Sequence, residues 1–458
     1  MTSYRPDPKI LTLGPDFYDA VEPARFPKCI PRFLNERWAG RVGLDFDDNG
    51  WALHFCRFEP LPDNLEESLA LRYHGHQFRV YNPEIGDGRG FTFAQLRDGD
   101  DRLLDLGTKG SGQTPYSRHA DGRLTLKGGV REVLATEMLE ALGVNTSKSF
   151  ALFETGEALE RGDEPSPTRS SVLTRLSHGH IRIGTFQQLA FYSDVENINK
   201  LVRYCLENLY AEQPAVDDAD NALRLFDLVG QATATLAASY LAAGFVHGVL
   251  NSDNINITGE SFDYGPWRFT PYWEPEFTAA YFDHYGLYAF GRQPEAIHWD
   301  LAQLAGCLSL VADGPALAER LSAWSGRFED GLVNAMLRRL GIKRGKDDRE
   351  LTAALIKALA TRVETIDRIF FDWRGGRDPG VERYPADSFR ELARLLRPRE
   401  TTVTHAYWSG DAPCSMHIEE LEDIWSAIAE RDDWQPFNNK VKAIRLMGDA
   451  VVQDAPAS

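Results

Sequence analysis

Cysteine is sparse in this chain of 458 residues: Cys29, Cys56, Cys205, Cys307 and Cys414 are odd in number, widely scattered and never in a Cys-x-x-Cys spacing. Neither a structural zinc nor a disulfide framework is indicated, and a reducing compartment is the expected setting. No apolar run approaches the length of a membrane span. Met1 to Asp7 carry neither an apolar signal core nor an Arg-rich transit pattern, so the expected location is cytoplasmic, with no membrane partner. Basic residues are outnumbered, 50 Lys and Arg against 68 Asp and Glu, for a formal charge of −18. A nucleic-acid or anionic-membrane binder would need a basic face to overcome that repulsion, so no nucleic-acid partner is expected. Internal repeats and low-complexity tracts are absent as well.

What is present is apolar bulk. At 43% hydrophobic, a chain of this length can bury a large core, and length alone allows two or three domains. Residues 1 to about 60 are rich in Pro and aromatics (Phe17, Phe26, Phe33, Trp38, Phe46, Trp51, Phe55), too apolar for disorder, and read as an irregular wrap packed on the body. The series Gly86-Asp87-Gly88-Arg89-Gly90 precedes the apolar run Phe91 to Leu96. Such glycines either let backbone amides approach phosphate oxygens or simply make a tight turn. Arg97 to Asp101 reads as a hairpin turn and Arg102 to Thr108 as the returning strand, ending at Lys109. Val130 to Leu142 has helical spacing with Gly143 as its stop, and Glu132 falls in the first turn. A strand Lys paired with a Glu on the following helix is an arrangement that orients the Lys toward phosphate; a solvated Lys before a Gly turn is the plainer alternative.

After a polar insertion, Glu157 to Thr168, come Arg175 and Arg182. In extended structure the two lie on opposite faces unless a turn at Gly179 resets the register, in which case both can meet one anion; two surface salt-bridge arginines is the other reading. Asn221 to Ala243 is a strong helix stopped by Gly244. Helices are further expected at 299–311, 316–341, 349–373, 387–397 and Ile418 to Arg431, with residues 399–416 as a linker and Asp449 to Ser458 frayed. Strands followed by helices favour a two-lobed α+β fold with the ligand between the lobes.

The stretch His247-Gly248-Val249-Leu250-Asn251-Ser252-Asp253-Asn254, followed by Asp263-Tyr264-Gly265, carries the chemistry. It offers carboxylates and an amide that suit a divalent cation beside phosphate oxygens. In protein kinases and related phosphotransferases a His-x-Asp is followed by a metal-binding Asn and an Asp-x-Gly. Here His247 and Asn254 keep the interval of seven, yet Val249 stands where the catalytic Asp would be. The chain is then a degenerate, inactive kinase-like scaffold, a small-molecule kinase, or a transferase with a relocated base. Asp253 is the candidate for that base, or a turn Asp capping its own backbone.

Taken together, Gly75-His76-Gln77-Phe78, Gly86-Asp87-Gly88-Arg89, Lys109-Gly110-x-Gly112, Thr114 to Arg118, Asp121-Gly122-Arg123, Arg131-Glu132, the Arg175/Arg182 pair, His247 to Asn254 and Asp263 to Pro266 resemble the selenoprotein O (SelO, also YdiU) family over roughly residues 70 to 310. The resemblance implies a kinase-like fold in which ATP is flipped, so that AMP passes to Ser, Thr or Tyr hydroxyls of protein substrates and pyrophosphate leaves. It implies Asp253 as base, Asn254 and Asp263 as ligands of Mg2+ or Mn2+, and Lys109 held by Glu132. Arg175, Arg182, Gly86, Gly88, Arg89, Asp121 and Gly122 become further nucleotide contacts. The fold class expected is α+β: a two-lobed protein-kinase-like fold with an extended N-terminal wrap (1–70), an N-lobe (71–195), a helical C-lobe (196–400) and a helical C-terminal extension (401–458), acting as a monomer. Family members end near a Cys or selenocysteine proposed to pair with a Cys after the Asp-x-Gly segment. Here some forty residues follow Cys414 and no Cys lies between Asp263 and Gln293, which puts such a redox latch in doubt.

Overall fold

Runs that bury both faces pair into one antiparallel sheet, because a strand covered on two sides needs apolar residues at successive positions. The computed structural model describes residues 3–162 and 164–455. Its strands are β1 (Tyr18–Val21), β2 (Ile30–Leu34), β3 (Ser68–Leu71), β4 (Gly75–Gln77), β5 (Val80–Asn82), β6 (Thr92–Arg97), β7 (Leu103–Lys109), β8 (Leu124–Thr125), β9 (Lys148–Leu159), β10 (Thr168–Ser177), β11 (Phe245–His247) and β12 (Trp267–Phe269). The main sheet runs β1-β3-β6-β7-β10-β9-β2 with β8 beside β10; β4 and β5 form a separate hairpin, and β11 pairs with β12.

The segment expected to be an irregular wrap is ordered into the sheet. β1 and β2 supply its two ends, while helices α1 (Glu36–Arg41) and α2 (Asp48–Phe55) cover one face. Asn35 and Asp47 start these helices by accepting from the amides of Trp38 and Gly50. Against them pack Phe93, Phe150 and Phe153 of the sheet; Trp51, Phe55 and Phe150 meet with centroids 5.2–5.3 Å apart. Each side chain of this kind, fully buried, contributes about 1.5–3 kcal/mol. The other face carries α3 (Leu126–Ala141), whose Leu126, Val130, Val133 and Leu134 meet Leu103, Leu152 and Leu173. Because α3 begins at Leu126, Glu132 falls in its second turn, not its first.

Cys29 and Cys56 form a disulfide, contrary to the expectation from their spacing, with Cα atoms 6.0 Å apart. Cys29 directly precedes the end strand β2 and Cys56 closes α2, which covers the sheet face beside it, an adjacency that spacing cannot report. The cysteine argument for a reducing compartment therefore falls away.

The rest is helical: α4 (Ile183–Phe191), α5 (Val195–Tyr204), α6 (Asp218–Ala243), α7 (Gln293–Leu308), α8 (Gly314–Ser322), α9 (Trp324–Leu340), α10 (Asp348–Ala360), α11 (Ile366–Asp372), α12 (Asp387–Leu396), α13 (Ile418–Arg431) and α14 (Gln435–Gln453). The 26-residue α6 ends where Gly244 turns left-handed at φ 67°. Residues 316–341 divide into α8 and α9, and 349–373 into α10 and α11. Residues 399–416 are not a loose linker, since Trp408 is buried against Phe371 under the Arg374 guanidinium. Nor is the end frayed from Asp449: α14 runs to Gln453, with Phe437, Val441, Ile444, Met447 and Ala450 inward, and 456–458 lie outside the described residues. No helix among the described residues is long and apolar enough to cross a membrane.

Candidate active site

β7 and β10 deliver the cations. Leu173 faces Lys109 and Arg175 faces Gly107 across the ladder, so the period of two puts Lys109 and Arg175 on one sheet face, the side of α3. There Lys109 Nζ donates to Glu132 Oε2 at 2.7 Å, and Arg175 reaches Glu132 Oε1 at 3.5 Å. Both side chains also touch one oxygen of Asp263, at 2.8 Å and 3.4 Å. Burial pushes the Asp263 carboxyl up, but Lys109, Arg175, Arg89 and Arg182 outweigh it and hold the group well below the carboxylate range. Asp263 itself sits at φ 61°, a conformation that Asp tolerates better than most residues.

Arg182 arrives by the turn that the spacing required. Gly179 adopts φ 79° after β10, the chain reverses, and Arg182 caps α4. Its guanidinium lies between the rings of Tyr73 (4.1 Å) and Phe262 (4.9 Å), donates to the Asp253 carbonyl at 3.1 Å and pairs with Asp87 at 3.3 Å. Gly86, Gly88, Arg89, Lys109, Arg118, Arg175, Arg182, Asp253 and Asp263 line a single cleft of about 370 Å³. Gly86 and Gly90 are there for close approach: a Cβ would come within 2.5 Å of the Tyr116 ring at Gly86 and 2.1 Å of the Thr108 carbonyl at Gly90.

The 247–254 loop is tied to the Asp263 segment by His247. The Val249 amide donates to its Nδ1 at 3.3 Å, so Nε2 carries the proton and donates to the Phe262 carbonyl at 3.2 Å. Burial lowers the imidazole to about 4, which keeps that neutral tautomer in place. Asp253 is 8% exposed, and its Oδ1 is buried without a hydrogen-bond partner. Burial raises its carboxyl to about 7, with Arg182 opposing. Asn254 donates from Nδ2 to the Val249 carbonyl at 2.9 Å, leaving Oδ1 without a protein donor among the described residues. Asn254 Oδ1 and the Asp263 carboxylate are each hard oxygens of the kind a small divalent cation takes. Among the described residues no group of three or more His, Cys, Asp or Glu is placed to hold a metal by itself.

Four candidates stand outside the cleft lining: Glu132, buried behind it and bonded to Lys109, Asn254, and the neighbours Asp121 and Gly122. Asp121 is exposed and paired with Arg161 at 2.9 Å, and Gly122, at φ 69°, packs its backbone on Gly112 with no room for a Cβ. Sequence reasoning missed Tyr73, just before the Gly75 to Phe78 segment, and gave no role to Asp87 and Arg118, which lie inside segments it singled out. The helix expected over 299–311 begins earlier, at Gln293, which puts Asp300 in the middle of α7, its carboxyl buried with both oxygens unpartnered and held well above the carboxylate range by burial and by Asp253. A larger cavity, about 1090 Å³ between α6 and α9, holds none of these residues, and its Arg327 and Arg344 are already paired with Asp227 and Asp348.

Comparison with known proteins meets this geometry from another side. Residues 1–382 match the family described as protein adenylyltransferase SelO. The chain is 45% identical to the protein nucleotidyltransferase YdiU of Synechococcus elongatus, over 97% of this chain and 95% of that protein. It is 40% identical to the Synechocystis protein of the same name, over 96% and 97%, and 41% identical to that of Trichodesmium erythraeum, over 96% and 98%.

Proposed function

The chain belongs to the SelO protein adenylyltransferase family, an enzyme family, and from that premise we propose that the cleft transfers AMP from ATP to Ser, Thr or Tyr hydroxyls of proteins. In this reading the β-sheet half and the helical half are the two lobes of a kinase-like fold, with the nucleotide between them. The hydroxyl oxygen attacks the α-phosphorus, the bond from that phosphorus to the oxygen bridging to the β-phosphate breaks, and pyrophosphate departs. The hydroxyl proton passes to Asp253. Lys109, Arg175 and Arg182 face the phosphates, with Glu132 and Asp87 fixing the direction of those cations. Asn254 and Asp263 would hold Mg2+ or Mn2+, which neutralises triphosphate charge when bound.

The observation that carries the reading is the contrast between the two aspartates. Asp263 is held ionised by cations, as a metal ligand should be. Asp253, with a free Oδ1 and a carboxyl near 7, is poised to accept a proton at neutral pH, and Val249 leaves the usual kinase position empty of a base. Incubation with ATP labelled at the α- or the γ-phosphate tests it. Retention of α-label on protein supports AMP transfer; γ-label on a small acceptor points to a small-molecule kinase, and no transfer to an inactive scaffold.

A further inference from the structure

We propose that Gln187 is a positioning residue for Asp253, acting through a closed ring of hydrogen bonds that fastens the β4–β5 hairpin to the loop carrying the base; this rests on the assignment of Asp253 made above. The Ser252 hydroxyl accepts from the His76 amide at 2.8 Å and donates to Gln187 Oε1 at 2.6 Å. Gln187 Nε2 donates in turn to His76 Nδ1 at 2.6 Å, which closes the ring. Every group is used with the polarity it possesses, and only one amide orientation of Gln187 and one neutral tautomer of His76 satisfy it. Gln187 and Ser252 are buried and His76 is half-buried, so two of the three ring members are shielded from water.

The preceding residue repeats the attachment. Asn251 Oδ1 accepts from the Phe78 amide at 3.0 Å and from the Tyr288 hydroxyl at 2.6 Å. Two successive side chains ahead of Asp253 are therefore pinned to the hairpin. Around Asp253 the walls are equally close: a Cβ on Gly75 would lie 2.9 Å from its Cβ and Oδ1, and one on Gly184 would lie 3.5 Å from its Cα and 2.2 Å from the His74 carbonyl.

This attachment matters because Oδ1 of Asp253 has no hydrogen bond of its own to orient it. A carboxylate free to take a proton must be aimed by its backbone, and the backbone here is aimed by Ser252 and the ring. An error of about 1 Å in a reacting group is enough to cost on the order of 100-fold in rate.

The test uses the full chain with α-labelled ATP and a pool of random-sequence peptides bearing Ser, Thr or Tyr as acceptors. Gln187→Met keeps an unbranched side chain of similar length but removes both polar ends, and Ser252→Ala removes the bridging hydroxyl with little change in volume. Each is expected to lower kcat about ten- to thirtyfold with the Kd for ATP within about twofold of wild type, and the double variant to be no worse than the more damaged single one, because all share one ring. Three results overturn the proposal: a kcat loss below about threefold in both variants while Asp253→Ala is inactive, a fall in ATP affinity parallel to kcat, or losses that multiply in the double variant. If Asp253→Ala itself retains transfer, the assignment of the base fails and the positioning role falls with it, an outcome distinct from the other three. Should Gln187→Met fold poorly, Ser252→Ala decides between the same results.

Discussion

Two of the places where the molecule buries charge give different results. In the cleft, Lys109, Arg175 and Arg182 meet Glu132, Asp263 and Asp87, but Arg89 and Arg118 also face the space and one oxygen of Asp253 is left unpaired. Among the C-terminal helices, Arg339 of α9 pairs with Asp367 of α11, lies over Phe370 at 4.5 Å and donates to the Ala242 carbonyl. His417 adds a contact to Asp367 at 3.6 Å. Nearby, Arg374 donates to the carbonyls of Arg338 and Arg339 at the end of α9 and to those of Val451 and Asp454 at the end of α14, closing two helix C-termini with one side chain. In the helical cluster the charged heads are turned onto one another and onto helix-end carbonyls, with Arg374 Nε and His417 Nε2 left without hydrogen bonds, whereas the cleft leaves positive charge facing space in a protein of net charge −18. Buried charge that closes on itself holds elements together; buried charge that faces a cavity is available to a ligand.

The sharpest way to break this contrast is to exchange the two behaviours. Asp253→Asn should cost about 10²- to 10⁴-fold in kcat, the usual range for a positioned base, while the fold gains stability at pH 8. The sign follows from the folded carboxyl lying near 7, above its ordinary value: ionisation is penalised in the native state, so stability is lost as pH rises toward 7, and the Asn variant avoids that loss. Transfer assays beside melting curves at pH 5 and pH 8 measure both. A variant as unstable as wild type at pH 8 contradicts the burial argument.

The next largest effect belongs to the helical cluster. Asp367→Ala leaves Arg339 buried without its carboxylate and should lower stability by about 3 kcal/mol, read from urea denaturation, with kcat of the folded fraction unchanged. If kcat falls as well, the cluster is not purely structural. Glu132→Ala stands between the two kinds: it should reduce transfer by about 10- to 100-fold through a disoriented Lys109, with a raised KM for ATP, and Glu132→Gln should recover part of the loss. Intact activity in Glu132→Ala beside an inactive Lys109→Ala would separate the Lys from its partner. The smallest effect is the pH profile. Below about 7 the rate constant should fall by roughly tenfold per pH unit as Asp253 protonates, and it should level off above. A flat profile between pH 5.5 and 7 removes Asp253 from the proton transfer.

The parts legible in sequence were those set by local order. Lys109 ends a strand and Glu132 follows on the next helix, so their approach needs only one βα step. Arg175 and Arg182 required the turn at Gly179, which the sequence offered and the backbone uses. What escaped was set by distance along the chain. Gln187 lies 65 residues from Ser252 and 111 from His76, and no pattern links them. The Cys29–Cys56 bond joins positions 27 apart without a motif. The helix α14 is a different failure, because its inward residues 437, 441, 444, 447 and 450 already showed helical spacing.

One consequence of the sheet order concerns time. Both outer strands come from the first 34 residues, yet β2 pairs with β9, so Ile30 faces Glu154 and Leu34 faces Ala151. During synthesis the earliest part of the chain must wait for more than a hundred further residues before its strand has a neighbour. Until β6 and β7 are made, α2 has no sheet strand to pack on, and Trp51 and Phe55 wait still longer for Phe150 of β9.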